Sequence, residues 1–210
     1  MKSPQRIFAV IPAAGLSRRM GRPKLTLPLG ESTIIEHVLA AVDVPEVSGR
    51  VVTVRTHDHA LAELVIRAGA KVMSPRRDPA DMRQSVEAAL QFVEEHYLPT
   101  ETDAWMLLPG DSVGLTRHAV SRLLTLWTSC DADILVPRWQ GKGGHPTLFR
   151  WPLTDVLRKL DGSLGVNALR KLPEVRVLEH EMNEPGVIQD MDTPDDYDKV
   201  LKSRRDSSST

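Results

Sequence analysis

Five short apolar runs, at residues 7–11, 51–54, 104–108, 133–136 and 175–178, alternate along the chain with segments whose apolar residues recur three and four apart. That rhythm is the mark of βαβ units, which build a mostly parallel sheet covered by helices. The helical segments fall at 32–42, 58–68, 83–96, 116–128 and 194–202, and Ile34, Ile35, Val38, Leu39 and Val42 show the spacing. Asp58 and Thr116 stand where N-caps are expected. Thr193, Pro194 and Asp196 read as a cap, a first-turn proline and a capping-box variant. The expected fold class is α/β, one doubly wound, mostly parallel sheet of Rossmann-like type. A length of 210 residues suits a single domain, assigned to 1–202. The tail 203–210, Ser-Arg-Arg-Asp-Ser-Ser-Ser-Thr, offers nothing apolar to bury and is expected to be disordered.

The charge balance, 27 Lys and Arg against 28 Asp and Glu, leaves no global basic field and argues against a nucleic-acid partner. Any anion binding must be local. A single cysteine, Cys130, excludes an intramolecular disulfide framework and reads as a small packing residue. No apolar stretch has the length of a membrane span or the form of a signal-peptide core, so a cytoplasmic location without a membrane partner is expected.

Parallel sheets bind ligands where loops and helix N-termini converge at the carboxyl ends of their strands. Behind the first run, closed by Pro12, comes Ala13-Ala14-Gly15-Leu16-Ser17-Arg18-Arg19-Met20-Gly21-Arg22-Pro23-Lys24. Small residues at 13–15 let a ligand approach the backbone, and Gly15 and Gly21 permit the torsions that turn N–H groups inward, an arrangement suited to phosphate oxygens. Arg18, Arg19, Arg22 and Lys24 bring four cations into seven residues. The string is neither Gly-x-x-x-x-Gly-Lys-Ser/Thr nor Gly-x-Gly-x-x-Gly. A strand-to-helix connection with merely solvated arginines is the alternative.

Asp111 follows the run ending at 108, and Asp190 and Asp192 precede the last helix. Mg²⁺ is held by one or two carboxylates plus substrate phosphate oxygens and waters, so widely separated aspartates suffice. Taken singly, Asp111 also reads as a turn residue and Asp192 as a helix-start aspartate.

The segment 13–24 resembles the N-terminal signature Leu-Ala-Ala-Gly-x-Ser-x-Arg-Met-Gly-x-x-Lys of the MobA-like nucleotidyltransferases, in the branch of the molybdenum cofactor cytidylyltransferases, departing only at Pro12. Ala14, where similar guanylyltransferases usually carry a glycine, leans toward cytidine. Pro109-Gly110-Asp111 resembles the family's Leu-Gly-Asp-Met-Pro, Asp190-Met191-Asp192-Thr193-Pro194 its Asp-Ile-Asp-Thr-Pro, and Gly144-His145-Pro146 its Gly-His-Pro segment beside the acceptor. The resemblance implies a nucleotide-diphospho-sugar transferase-like fold. It also implies Mg²⁺-dependent transfer of CMP from CTP to a molybdopterin-type cofactor phosphate, with pyrophosphate released and the product destined for a molybdenum hydroxylase or its chaperone.

On that resemblance Lys24, Arg19 and Asp111 are the catalytic candidates. Ala13, Ala14, Gly15, Ser17, Arg19, Gly21, Lys24 and Ser85 are assigned to the nucleotide, with the main-chain N–H groups of 14–21 on its β and γ phosphates. Gly144 and His145 are assigned to the acceptor, where His145 would meet its phosphate or a polar edge; Asp111, Asp190 and Asp192 are assigned to the metal. Three departures leave the acceptor and base open. Asp81-Met82-Arg83-Gln84-Ser85-Val86 stands for the usual Gly-Met-Ser-x-Ser-Leu, Ser112-Val113 for Met-Pro, and 161–167 only loosely matches Gly-Asp-x-Gly-Ala-Arg. The alternatives are another phosphorylated acceptor (sugar, alditol or phospho-lactate) and a non-catalytic, nucleotide-binding maturation chaperone.

Overall fold

In the computed structural model, which describes residues 5–208, the first half runs β1 (Ile7–Pro12), a hairpin of β2 (Pro28–Leu29) and β3 (Ser32–Thr33), α1 (Ile34–Ala41), β4 (Val47–Thr53), α2 (His59–Arg67), β5 (Lys71–Met73) and α3 (Met82–Tyr97). The second half runs β6 (Ala104–Leu107), α4 (Arg117–Ser129), β7 (Ile134–Trp139), β8 (Lys142–Gly143), β9 (Thr147–Arg150), α5 (Leu153–Lys159), β10 (Val177–Glu181) and α6 (Pro194–Ser208). Short 3₁₀ turns occupy Val166–Lys171 and Pro185–Ile188. The main sheet has the order β10-β7-β9-β6-β1-β4-β5, with β8 paired to β7.

The expected α/β architecture is present, and each of the five predicted strands and helices lies over an observed one. Asp58 accepts from Leu61 N–H and Thr116 from Ala119 N–H, as caps should. The Thr193–Asp196 box closes both ways: Thr193 N–H donates to Asp196 Oδ2 at 3.0 Å and Asp196 N–H to Thr193 Oγ1 at 3.2 Å. Two features add detail that the sequence pattern did not carry. Strand β9 runs antiparallel to both β6 and β7. Helix α6 runs past 202 to Ser208, so the expected disordered tail lies largely on helical backbone begun at the Thr193 cap; residues 209 and 210 fall outside the described residues.

Strand alternation divides the interior between the two sheet faces. Ile7, Ala9 and Ile11 of β1 pack with α1, α2, α4 and α6, while Phe8 and Val10 pack with α3 and α5. Strand β6 splits the same way, Met106 to one side and Trp105 to the other. Buried on both faces, these strands are rigid supports for whatever their ends carry. From β1 the chain winds to one side through β4 and β5, then returns to β6 on the other. The loops leaving β1 and β6 therefore diverge at a topological switch point, where open α/β sheets form their ligand crevices. Among the described residues no helix is long and apolar enough to cross a membrane.

Candidate active site

A cleft of about 450 Å³ opens at that switch point, lined by 12–19, Lys24, Leu25, Arg55, 79–82, Ser85, 109–111 and Asp192. Its floor is set by backbone pairing continued past the strands: Ala13 N–H donates to Thr53 C=O at 3.0 Å and Gly110 N–H to Pro12 C=O at 3.3 Å. The loop then turns at Ser17, whose φ is 49°, and Gly21, whose φ is 69°. Met20 and Gly21 N–H both fold back on the Ser17 carbonyl. The main-chain cradle expected over 14–21 therefore narrows to 14–19, whose N–H groups have no partner among the described residues. Ser17 closes the loop, its Oγ accepting from Lys24 N–H at 3.2 Å.

Lys24 is the hub. Its Nζ donates to Asp111 Oδ2 in a short contact, to Met191 C=O at 3.0 Å and to Asp192 Oδ1 at 3.1 Å. Residues from the β1 loop, the β6 loop and the segment before α6 thus meet at one ammonium. Arg19, largely exposed, reaches Asp192 Oδ1 at 2.8 Å. Asp190 stands one step back, accepting from Ser112 Oγ at 2.9 Å. Ser112, 3% exposed, occupies one of the positions that depart from the family pattern, and it tethers the second acidic segment to the first.

Asp111 and Asp192 share the half-buried Lys24, with Asp190 close by, and the titration of the Lys24–Asp111 pair follows from that setting. Burial raises the Asp111 carboxyl above its ordinary range; Lys24 works against this, and the negative charge of Asp190 and Asp192 adds to it. Burial also disfavours the Lys24 ammonium, but Asp111 and Asp192 outweigh it and the pKa is raised. The Asp111 shift is chiefly that of burial, and the surplus of negative charge around the pair adds to it while holding the Lys24 ammonium. Among the described residues no three His, Cys, Asp or Glu side chains converge on a ready-made metal position. Asp111 and Asp192 nevertheless give oxygen donors at the cleft wall, with Asp190 one step behind them on Ser112, which is the chemistry a hard divalent cation needs.

The acceptor candidates lie against this cluster. His145 Nδ1–H donates to Leu107 C=O at 3.3 Å, and its backbone N–H to Val187 C=O at 2.7 Å. Burial pushes the imidazole pKa down despite the nearby charges of Asp190 and Asp111. With Nδ1–H on the Leu107 carbonyl, Nε2 is the ring nitrogen left to meet the acceptor expected there. Gly144 has a packing role, since a Cβ there would sit 2.1 Å from Val187 C=O. Ser85, buried in the first turn of α3, donates to Asp81 C=O at 3.1 Å, while its own carbonyl accepts from Thr53 Oγ1 at 2.7 Å. It lines the cleft without offering it an uncommitted hydroxyl.

Arg83, a departure expected to bear on base selectivity, turns away from the cleft. Its guanidinium donates to the carbonyls of Leu157, Leu160, Asp161 and Leu164 and pairs with Glu87 at 2.9 Å, closing the C-terminal end of α5. Arg55, which no motif pointed to, stands in the cleft wall and donates to Ala14 C=O at 3.3 Å and to Asp78 Oδ2 at 2.5 Å.

Residues 9–181 match the MobA-like NTP transferase domain. The 2-C-methyl-D-erythritol 4-phosphate cytidylyltransferase of Aliivibrio fischeri (strain MJ11) is 30% identical over 131 residues, covering 60% of this chain and 52% of that protein. The chain spans about half the length of the methylerythritol relatives it matches. The molybdenum cofactor cytidylyltransferase of Escherichia coli K12 is 27% identical over 194 residues, 91% of this chain and 93% of that one. Among solved structures, Rv0371c of Mycobacterium tuberculosis H37Rv aligns at a TM-score of 0.79 and 25% identity over 94% of this chain and 98% of its own. A second structure of Rv0371c, in complex with manganese, aligns at 0.75 and 26% identity over 95% and 100%. The first-strand loop that carries Lys24, the β6 loop that carries Asp111 and the sheet between them lie inside the matched span, and the chain belongs to the MobA-like NTP transferase domain family.

Proposed function

We propose that this chain is a cytidylyltransferase that moves CMP from CTP to the terminal phosphate of a molybdopterin-type cofactor and releases pyrophosphate. The observation that carries the reading is the meeting of Lys24, Asp111 and Asp192, from three distant parts of the sequence, at the mouth of one switch-point cleft. The free N–H groups of 14–19 face the β and γ phosphates, and Lys24 and Arg19 offset their charge. An acceptor phosphate oxygen attacks the α-phosphorus in line; a new P–O bond forms as the α–β bridging bond breaks, and the electron pair leaves on pyrophosphate. The monoester is already anionic near neutral pH, so the step needs positioning and charge neutralisation rather than a strong base. That suits a site where His145 gives its Nδ1–H to the Leu107 carbonyl rather than to a carboxylate.

Asp111 and Asp190, with Asp192 in support, are the residues that would hold a divalent cation. Bound Mg²⁺ or Mn²⁺ supplies charge neutralisation on the phosphate oxygens. The manganese complex of Rv0371c supports this. Both named curated relatives are cytidylyltransferases, which supports CTP, and the molybdenum cofactor enzyme matches along almost its whole length. The product would then pass to a molybdenum hydroxylase. A second acceptor, an alditol phosphate, is favoured by the 30% identity to the methylerythritol enzyme. Pyrophosphate release from each of the four triphosphates, with Mg²⁺, against molybdopterin and methylerythritol phosphate, decides between them. Strict use of GTP defeats the cytidine assignment, and binding without release defeats catalysis.

A further inference from the structure

Gly15 is exposed, and nothing lies within 4 Å of where a Cβ would stand. With a glycine and no packed side chain, the peptide joining Ala14 to Gly15 has no steric reason to hold one orientation. In a planar trans peptide the carbonyl and the next N–H point in opposite directions, so fixing one fixes the other. The Ala14 carbonyl is fixed by Arg55 Nη1 at 3.3 Å. Arg55 is itself aimed by Asp78, whose Oδ2 accepts from Nη2 at 2.5 Å. The segment carrying Asp78 is tied down in turn, since Thr56 Oγ1 donates to Pro75 C=O at 2.9 Å. A chain of contacts thus runs from the end of β4, through a partly buried guanidinium, to one peptide plane in the phosphate-facing loop.

We propose that Arg55, aimed by Asp78, is a positioning residue that locks the Ala14–Gly15 peptide with the Gly15 N–H available to the triphosphate; the ligand named here rests on the reading given under Proposed function. A different role for the same residue, a free positive charge attracting phosphate, makes the opposite demand on Asp78. Removing that carboxylate would liberate charge and tighten binding, whereas removing an aiming group loosens it.

Two measurements test this on the full chain. In ligand-free protein, ¹⁵N relaxation of the Gly15 amide should show new exchange in Arg55→Met and in Asp78→Ala, with Arg55→Lys intermediate because one ammonium cannot serve both partners in planar geometry. In calorimetric titration with CTP and Mg²⁺, Arg55→Met should raise Kd about ten-fold and Asp78→Ala about three-fold, the scale of one lost charge-assisted hydrogen bond and of a partial loss. Melting temperatures serve as the folding control, and Asp78, at the protein surface, provides a variant that leaves the core untouched. An unchanged Gly15 amide in both variants, or tighter CTP binding by Asp78→Ala, overturns the proposal. A wild-type protein that binds no CTP while Gly15 loosens in the variants overturns the nucleotidyl reading and leaves the positioning role supported.

Discussion

Replacing Lys24 by Met and Asp111 by Asn should both abolish turnover yet move stability in opposite directions. Lys24 has a pKa raised by its two carboxylates against the pull of burial, so its contribution is complete below its ordinary value and vanishes only as pH climbs through the higher folded value. At pH 7 the full contribution is present, and Lys24→Met removes it. Asp111 has a pKa raised chiefly by burial, so its ionisation costs the folded state stability once pH passes the ordinary carboxylate value. Asp111→Asn relieves that cost. Lys24 keeps Asp192 at 3.1 Å and Met191 C=O at 3.0 Å in that variant. Losing one partner of a dry ion pair costs 3–5 kcal/mol; with each side chain here 15% exposed, about 2–3 kcal/mol is expected for Lys24→Met. In a domain of this size about 1 kcal/mol moves Tm by roughly 2–4 °C, so the fall should be about 5–10 °C. Asp111→Asn should lie within about 1 kcal/mol of wild type, on the stable side. Thermal unfolding followed by circular dichroism at pH 7 checks both. Equal destabilisation by the two substitutions would refute the claim that negative charge is in surplus around the pair.

Arg83→Ala should destabilise by about 2–4 kcal/mol, because the carbonyls at 157, 160, 161 and 164 lose their shared donor, while the nucleotide KM stays near wild type; urea unfolding beside steady-state kinetics separates the two effects. Gly186→Ala places a Cβ 1.9 Å from Gly114 C=O, a backbone clash costing roughly 1–3 kcal/mol or more, and should also weaken any bound Mn²⁺ by shifting Asp190, as paramagnetic titration would show. Asp103 is held below its ordinary range, burial being outweighed by Arg6 and the Thr100 and Arg6 amides. Its contribution is therefore present above the ordinary carboxylate pKa and lost as pH falls through the lower folded value, so the Tm gap between wild type and Asp103→Asn should close on acidification. Chelation of divalent ions should stop pyrophosphate release and added Mg²⁺ should restore it; release that persists in excess chelator contradicts the assignment of the aspartates.

What could be read from the chain before its structure was what is encoded locally. The strand-to-loop signature at 13–24, the turn at 109–111 and the Thr193–Asp196 box each lie within a few residues, and each stands where it was expected. Features that depend on partners far away left no trace. Strand β9 is four residues long, and only its pairing between β6 and β7 makes it a strand. Helix α5 and strand β5 escaped for the same reason of length, with seven and three residues. The meaning of Ser112 depends on Asp190, 78 positions later, and that of Arg55 on Ala14, 41 positions earlier.

The departures from the family pattern teach the same lesson from the other side. At position 83 a charged residue in a motif associated with the nucleotide suggested altered selectivity, yet its guanidinium closes the C-terminal end of α5, on the sheet face that α3 and α5 cover. At position 112 a serine in place of methionine suggested a changed acceptor, yet its hydroxyl holds Asp190, so the change strengthens the link between the two acidic segments. Neither Arg83 nor Ser112 lines the cleft. Under the proposed function, residues 79–82, which line the cleft, are then the part of that segment that bears on the choice of substrate. On that reading substitutions at 79–82 should change which triphosphate or acceptor supports pyrophosphate release, whereas substitutions at 83 and 112 should change how firmly the cleft is held.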